Sequence, residues 1–339
     1  MIRENVGKMK SQVQNLVRKP EASILVIIIA LLFLVPLFWT NVYFLHLMTS
    51  IFIWIILGEA WNILAGYAGQ ISFGHAAFFG VGAYTTALLF TQLGILPWLA
   101  MVIGGAVAAL FSIPIGIITF RLRGPYFSLS TFAFAEILRL IAVNWRSFTK
   151  GAVGILYPVL SMGELMPYYV VMFSALLTIF LLGKLLGTKV GYYFITIRED
   201  QDVASSLAIN TTAYKLFALV VSAFFTGIAG GFYSNYMKYI DPELAFSGVD
   251  ISLATIVVVM VGGLGTLAGP VIGAVIVVLL SELLRDLFPF AHLLFYGVLV
   301  CLVVLYMPEG MIKVLRILIK RLTSALRKLF FRRVIDVNG

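Results

Sequence analysis

An all-α bundle of helices crossing a membrane is the fold class this sequence predicts, on three observations. Hydrophobic residues make up 61% of its 339 residues and charged residues only 12%, far from the balance of a soluble domain. Apolar runs of roughly 20 residues recur along the chain, each long enough to cross the hydrocarbon core of a bilayer. The basic residues gather at the two ends and in one interior loop, as topology signals do. The length would fit two or three soluble domains, but repeated spanning runs favour one integrated polytopic bundle of about ten transmembrane helices.

The N-terminal segment, residues 1–21, carries Arg3, Lys8, Lys10, Arg18 and Lys19 ahead of an apolar run from Ala22 to Trp39. This layout resembles a secretory signal, but the run is long and ends PLFWTNVYF without a small-residue cleavage site, so an uncleaved first span is expected. At the other end, residues 310–339 hold Lys313, Arg316, Lys320, Arg321, Arg327, Lys328, Arg332 and Arg333. Basic flanks at both ends place both termini in the cytoplasm, which requires an even number of crossings. Between them lies the transmembrane domain, 22–309, with candidate spans near 22–40, 44–64, 71–92, 96–120, 126–144, 167–187, 214–236, 250–264, 268–285 and 289–308. The count of ten depends on a break at Gly262-Gly263-Leu264-Gly265-Thr266, followed by Gly269-Pro270. Glycine freedom and the missing proline N–H make a continuous helix costly there, so a tight turn between two helices is expected. One long kinked helix would leave nine crossings and put the basic C-terminus outside.

The net charge of +9 raises nucleic acid as a partner, but no aromatic and basic interleaving occurs on a soluble face, and a bilayer partner explains the charge instead. The single cysteine, Cys301, cannot form an intrachain disulfide. No cysteine and histidine pattern suits a metal.

Polar and small residues inside the apolar runs mark candidate working parts. GYAGQISFGHAAFFGVGAYTTALL, from Gly66 to Leu89, sets Gln70, Ser72 and His75 among glycines and alanines. Small residues let helix backbones approach closely, and isolated polar groups in lipid need protein or water partners. Gly66, Gly69, Gln70, Ser72, Gly74 and His75, with Gly262, Gly263 and Gly265, are therefore candidates for lining a pathway or for close packing. Glu136 and Arg139 stand three apart on one helical face and could pair within the membrane. Glu59, beside Trp61 and Asn62, is a further buried-charge candidate, whereas Glu282, Arg285 and Asp286 fall at a span end and fit a solvated cluster.

The polar insertion at about 189–212, KVGYYFITIREDQDVASSLAINTT, lies on the expected inner side. Thr196 and Glu199 have capping-box spacing, which predicts a short helix starting there, with Asn210 as its stop. Val203 and Leu207, four apart, give it an apolar strip, and Arg198, Glu199, Asp200 and Asp202 give it a charged end suited to another protein. An ordinary solvated loop is the other reading of this spacing.

Four blocks in order give a further signal: GYAGQISFGHAAFFGVGAY, RGPYFSLSTFAFAEILRL, ITIREDQDVASSLAINTTAYKLFALVVSAFFTGIAGGFY and VGGLGTLAGPVIGA. Over roughly residues 50–310 the chain resembles the M-type permease subunits of ATP-binding-cassette importers for branched-chain amino acids. The resemblance implies a bacterial plasma (inner) membrane protein and a translocation pathway shared with a homologous second permease. It implies a coupling helix at about Arg198 to Asn210 docking on the nucleotide-binding subunit, two ATPase subunits, and an external binding protein that delivers leucine, isoleucine or valine. Related permeases handle urea, short amides or sugars. The chain departs from the family at Ala208, where relatives commonly have glycine, and at Lys150 to Ile155, usually richer in glycine and serine.

No G-x-x-x-x-G-K-[ST] phosphate loop occurs in the chain, so ATP and Mg are expected to be used by partner subunits and no cofactor by this one. A gradient-driven carrier using Glu59, Glu136 or the GGLGT break is an alternative. So is a membrane-embedded enzyme using His75 with Glu59 or Glu136, although no H-E-x-x-H or G-x-S-x-G occurs. The expectation is a non-catalytic permease with no catalytic residue and no metal.

Overall fold

A computed structural model of the chain describes residues 30–36, 41–157, 163, 165–288 and scattered positions from 294 to 313. Among the described residues, eight helical segments are long and apolar enough to cross a membrane. They coincide with eight of the ten spans expected from the sequence. Of the other two, the span near 22–40 is described only at 30–36, as helix, and the span near 289–308 lies almost wholly outside the described residues.

The helices are α1 Val42–Asn62, α2 His75–Leu93, α3 Pro97–Thr119, α4 Pro125–Asn144 and α5 Leu165–Leu186, then α6 Lys189–Glu199, α7 Gln201–Ser206, α8 Thr211–Met237, α9 Ala254–Gly262 and α10 Ala268–Leu287. Helix starts follow local chemistry. Pro97 and Pro125 sit in the first turns of α3 and α4, where a missing N–H costs nothing. The Asn41 side chain accepts from Tyr43 N to cap α1. Gly94, at φ +64°, ends α2 in the left-handed conformation that glycine adopts without penalty. At the end of the bundle away from the α6–α7 segment, β1 Ile155–Leu156 pairs antiparallel with β2 Tyr239–Ile240, Ile155 opposite Ile240 and Leu156 opposite Tyr239.

α8 is the central helix. Its most apolar window is 67% buried inside the chain, against 22% for α4 at the periphery. α2, α3 and α8 are held together by backbone contact at small residues. A Cβ added at Gly230 would lie 2.1 Å from the Phe79 carbonyl oxygen, and one at Gly82 would lie 2.2 Å from that of Gly227. In lipid, where apolar surfaces gain little by meeting one another, such close packing is the main force between helices. Aromatic residues fill the remaining space, including fully buried Phe79, Phe232 and Tyr168. The outer surface is apolar as well: Leu110, Ile118, Phe173 and Phe180 are all exposed, which suits a lipid solvent.

The structure revises several boundaries. The expected span at 250–264 is a composite: a short helix at Pro242–Ala245, a π-helical turn at Gly248–Leu253 and then α9. The expected span at 71–92 begins only at His75. Thr196 does not open a helix. It lies inside α6, its hydroxyl donating to Tyr192 O, and the new helix α7 opens at Asp200, whose carboxylate accepts from Asp202 N and Val203 N. Asn210 is not a stop either, because its side-chain oxygen accepts from Ala213 N and caps the start of α8.

Candidate translocation and coupling site

The chain between α1 and α2 is where regular structure gives way. α1 runs into a π-helical turn at Ile63–Tyr67, a geometry concentrated at functional sites. Residues 68–74 are then non-helical, running back beside α4 before α2 begins at His75. His75 Nε2 lies 2.7 Å from Ser222 Oγ, eleven residues into α8, which is about 16 Å along that helix at its usual rise. α2 thus starts part-way through the bundle. Irregular backbone at that depth must be satisfied by protein or by a wet cavity, and here the protein does it. Ile71 O accepts from Ser128 Oγ at 2.6 Å, Ser72 O from Trp61 Nε1 at 2.8 Å, Phe73 N donates to Thr131 Oγ1 at 3.1 Å, and Gly74 N donates to Ser72 Oγ at 3.2 Å. Ala76 N, an orphan donor of the first turn of α2, finds Ser252 Oγ at 2.9 Å.

Ser222 joins three helices: its hydroxyl donates to Ala60 O of α1 at 2.5 Å and therefore accepts from the His75 ring of α2. That fixes the His75 proton on Nε2 and leaves Nδ1 buried without a hydrogen bond among the described residues. No hydrogen bond joins His75 to Glu59 or Glu136. Glu59 is buried, and neither of its carboxylate oxygens has a hydrogen-bond partner among the described residues.

The glycine break is a turn between α9 and α10. Gly263 (φ +131°) and Gly265 (φ +72°) adopt backbone conformations that a side chain would strain. The Asn62 amide clasps this turn to the end of α1, donating from Nδ2 to Thr266 O at 3.0 Å and accepting from Gly265 N at 2.8 Å. Thr266 closes the turn by donating to Gly263 O at 3.0 Å. Gly262 touches α10 so closely that a Cβ would sit 1.8 Å from Gly269 O.

Arg198 brings the two breaks together. Its Nη1 donates to Gly66 O at 2.8 Å, its Nη2 and Nε bind Glu199 Oε1 at 2.7 and 3.2 Å, and Gly69 and Gly265 are both close enough that a Cβ on either would meet the Arg198 side chain within 3.0 Å. Gly66, Gly69 and Gly265 are thus joined to the charged loop, with Gly262 and Gly263 in the adjoining turn, whereas Ser72, Gly74 and His75 sit deeper. Beyond Arg198, α7 is held by Lys215 Nζ to Gln201 Oε1 at 2.8 Å and by the exposed pair Arg123–Asp202 at 3.3 Å. Val203 and Leu207 point outward, 53% and 65% exposed, and leave an apolar strip uncovered. Ala208 follows at φ +59°, a left-handed position held by a residue with a Cβ.

Glu136 and Arg139 lie together in the second half of α4, with 2.5 Å between Oε1 and Nη2, and Glu243 of the short 242–245 helix binds the same guanidinium. With Arg139 largely covered and its two carboxylate partners exposed, this cluster ties α4 to the 242–245 helix next to β2. Glu282 pairs with Arg285 at 3.5 Å and accepts from Tyr43 at 3.3 Å. Spacing along the chain offers no hint of Ser222 or Lys215 as tying points, because Ser222 acts on residues far away in the chain and Lys215 on Gln201 of another helix; an isolated polar residue inside an apolar run is the only signal.

A cavity of about 920 Å³ opens beside the non-helical segment, lined by Gly69, Gln70, Ile71 and Phe73, by Arg123 to Leu129 except Tyr126, by Phe132, and by Gln201 and Lys215. It lies at the Arg198 end, between 68–74, the start of α4 and α7.

The family described as "Branched-chain amino acid transport system / permease component" matches residues 43–307. The LivM permease protein of the high-affinity branched-chain amino acid transport system of Salmonella typhimurium is 29% identical over 298 residues, covering 79% of this chain and 69% of the relative. Its Escherichia coli counterpart is 28% identical over the same shares. The Escherichia coli LivH permease protein is 24% identical over 306 residues, 79% of this chain and 96% of the relative. No solved structure gave a significant match. This multi-pass membrane chain belongs to the permease-component family of branched-chain amino acid transport systems.

Proposed function

We infer that the chain is the M-type permease subunit of an ATP-binding-cassette importer for leucine, isoleucine and valine in a bacterial inner membrane. The observation that carries this reading is the α6–α7 segment: an exposed apolar strip, Val203 and Leu207, follows directly on an arginine bonded to the π-turn of α1 and packed on the GGLGT turn. A surface for a partner is thereby joined to the irregular backbone of the membrane bundle. The similarity to both LivM and LivH relatives supports pairing with a homologous second permease.

In this reading the Arg198 end faces the cytoplasm, in keeping with both termini there, and two ATPase subunits seat the α7 helices. ATP and Mg belong to those subunits, and this chain does no chemistry. An external binding protein presents the amino acid at the β1–β2 end. ATP binding and hydrolysis move the coupling segments, and the bundle alternates between two arrangements whose relative stability changes with the position of α7.

The test is uptake of labelled leucine into proteoliposomes holding this chain with its permease, ATPase and binding-protein partners, with and without internal ATP. ATP-dependent accumulation is expected. Transport of urea or an amide would keep the machine and change the cargo. Accumulation without ATP that collapses with an ion gradient would refute the reading, and buried Glu59 would then be the first residue to examine.

A further inference from the structure

The cavity beside residues 68–74 contains an unbalanced charge. Lys215 is 1% exposed, yet among the described residues its ammonium meets only a neutral amide oxygen, Gln201 Oε1 at 2.8 Å, and the Phe120 ring, 5.4 Å from its centroid. No carboxylate of the described residues is paired with it. A buried cation is normally paired, since burying one alone is costly. Lys215 lines the cavity, and Arg123 stands on the same wall, its exposed partner Asp202 a weak competitor for an incoming anion. The other walls are largely apolar, from Ile71, Phe73, Phe127, Leu129 and Phe132. The space suits a small molecule with one anionic group and an aliphatic body, and its volume lies within the range of ligand pockets.

We propose that this cavity is a cytoplasm-side station for the transported amino acid, its carboxylate on Lys215 and Arg123 and its branched side chain against Phe127, Leu129 and Phe132. The inference rests on the import reading above and adds where, and by which group, the chain holds its cargo. The ammonium of the amino acid faces the neutral oxygens at the cavity wall, from Gln70 and Ser128. Binding through a single carboxylate and an open apolar wall is weak, as a release station requires. An anionic lipid offers related chemistry from the bilayer, and the experiment separates the two.

In the full complex in nanodiscs, Cys301→Ser removes the native thiol and Leu129→Cys places a reporter on the cavity wall, since Leu129 is 66% exposed and leaves no polar partner behind. Leucine is expected to slow maleimide labelling of that cysteine, while leucine amide, which lacks the carboxylate, does not. Lys215→Gln is expected to raise the leucine concentration needed for protection about tenfold, the scale of one charge-assisted hydrogen bond. Because Lys215→Gln could fail to assemble, Leu129→Trp gives a second test: filling the cavity should lower ATP-driven leucine import with the complex intact. Equal protection by leucine and leucine amide, no protection by either, or protection by phosphatidylglycerol nanodiscs with leucine without effect would overturn the station. Any of these alongside ATP-driven leucine uptake would leave the import reading standing, whereas absence of that uptake would overturn both.

Discussion

Arg198→Gln is the substitution that most directly tests whether the coupling segment acts on the membrane bundle. It removes the donor 2.8 Å from Gly66 O and the contact with Gly265, while leaving α7 capped by Asp200. A hydrogen bond from a charged donor contributes about 1.5–3 kcal/mol. The Arg198 side chain is 36% exposed, so solvent competes and the lower end, about 1.5 kcal/mol, is appropriate. That corresponds to about a tenfold shift between docked and undocked positions of the segment. In proteoliposomes with all partners, leucine imported per ATP hydrolysed should fall by up to about tenfold, with ATP hydrolysis continuing. Arg198→Lys, which can still donate to Gly66 O but loses the two-pronged hold on Glu199, should fall in between. An unchanged ratio for Arg198→Gln in an assembled complex would refute the argument that this guanidinium transmits the motion.

Gly230→Ala should lower the midpoint of thermal unfolding in detergent by an amount equivalent to about 1–3 kcal/mol, because its Cβ would lie 2.1 Å from Phe79 O and α2 and α8 would have to part; Gly187→Ala, whose nearest contact is an ordinary 3.5 Å, is the control expected to melt as the parent does. Ser222→Ala leaves the buried His75 Nε2–H and Ala60 O without their shared partner, and should cost about 1–3 kcal/mol in the same assay, with faster amide exchange at the start of α2. Ala208→Gly should raise stability by up to about 1 kcal/mol, since φ +59° strains alanine and not glycine; a lower melting temperature would show that the Ala208 methyl makes a contact worth more than that strain.

How much of this was legible depended on the range over which each residue acts. Spanning helices could be read because twenty apolar residues in a row are a local property, and the break at Gly262 to Thr266 because glycine clusters punish helix locally. The boundaries of α2 and α7 could not. His75 opens α2 because Ser222 and Ser252, far along the chain, hold its ring and the N–H of Ala76, and Asp200 rather than Thr196 starts α7 because α6, capped by Thr188, already runs through Thr196, which bonds back to Tyr192. The stop expected at Asn210 is instead the cap of α8, which only the position of that helix shows. In the candidate site, Gly66, Gly69, Gly265 and Arg198 were singled out separately, as a packing stripe, a turn and a charged loop. Their meeting at one guanidinium is a tertiary fact with no local signature, and so is the isolation of Lys215.

The late start of α2 divides the bundle into two unlike storeys. On the storey of the β1–β2 end, α2, α3 and α8 are welded through backbone at Gly82, Gly227 and Gly230, and little can slide without steric collision. On the Arg198 storey α2 is replaced by a thin ribbon of seven non-helical residues, 68–74, with a cavity on its flank. Under the import reading proposed above, such a machine is expected to bend like a clothes-peg: a stiff jointed block at one end, and at the other a slender, compliant jaw that a small displacement of α7 would move.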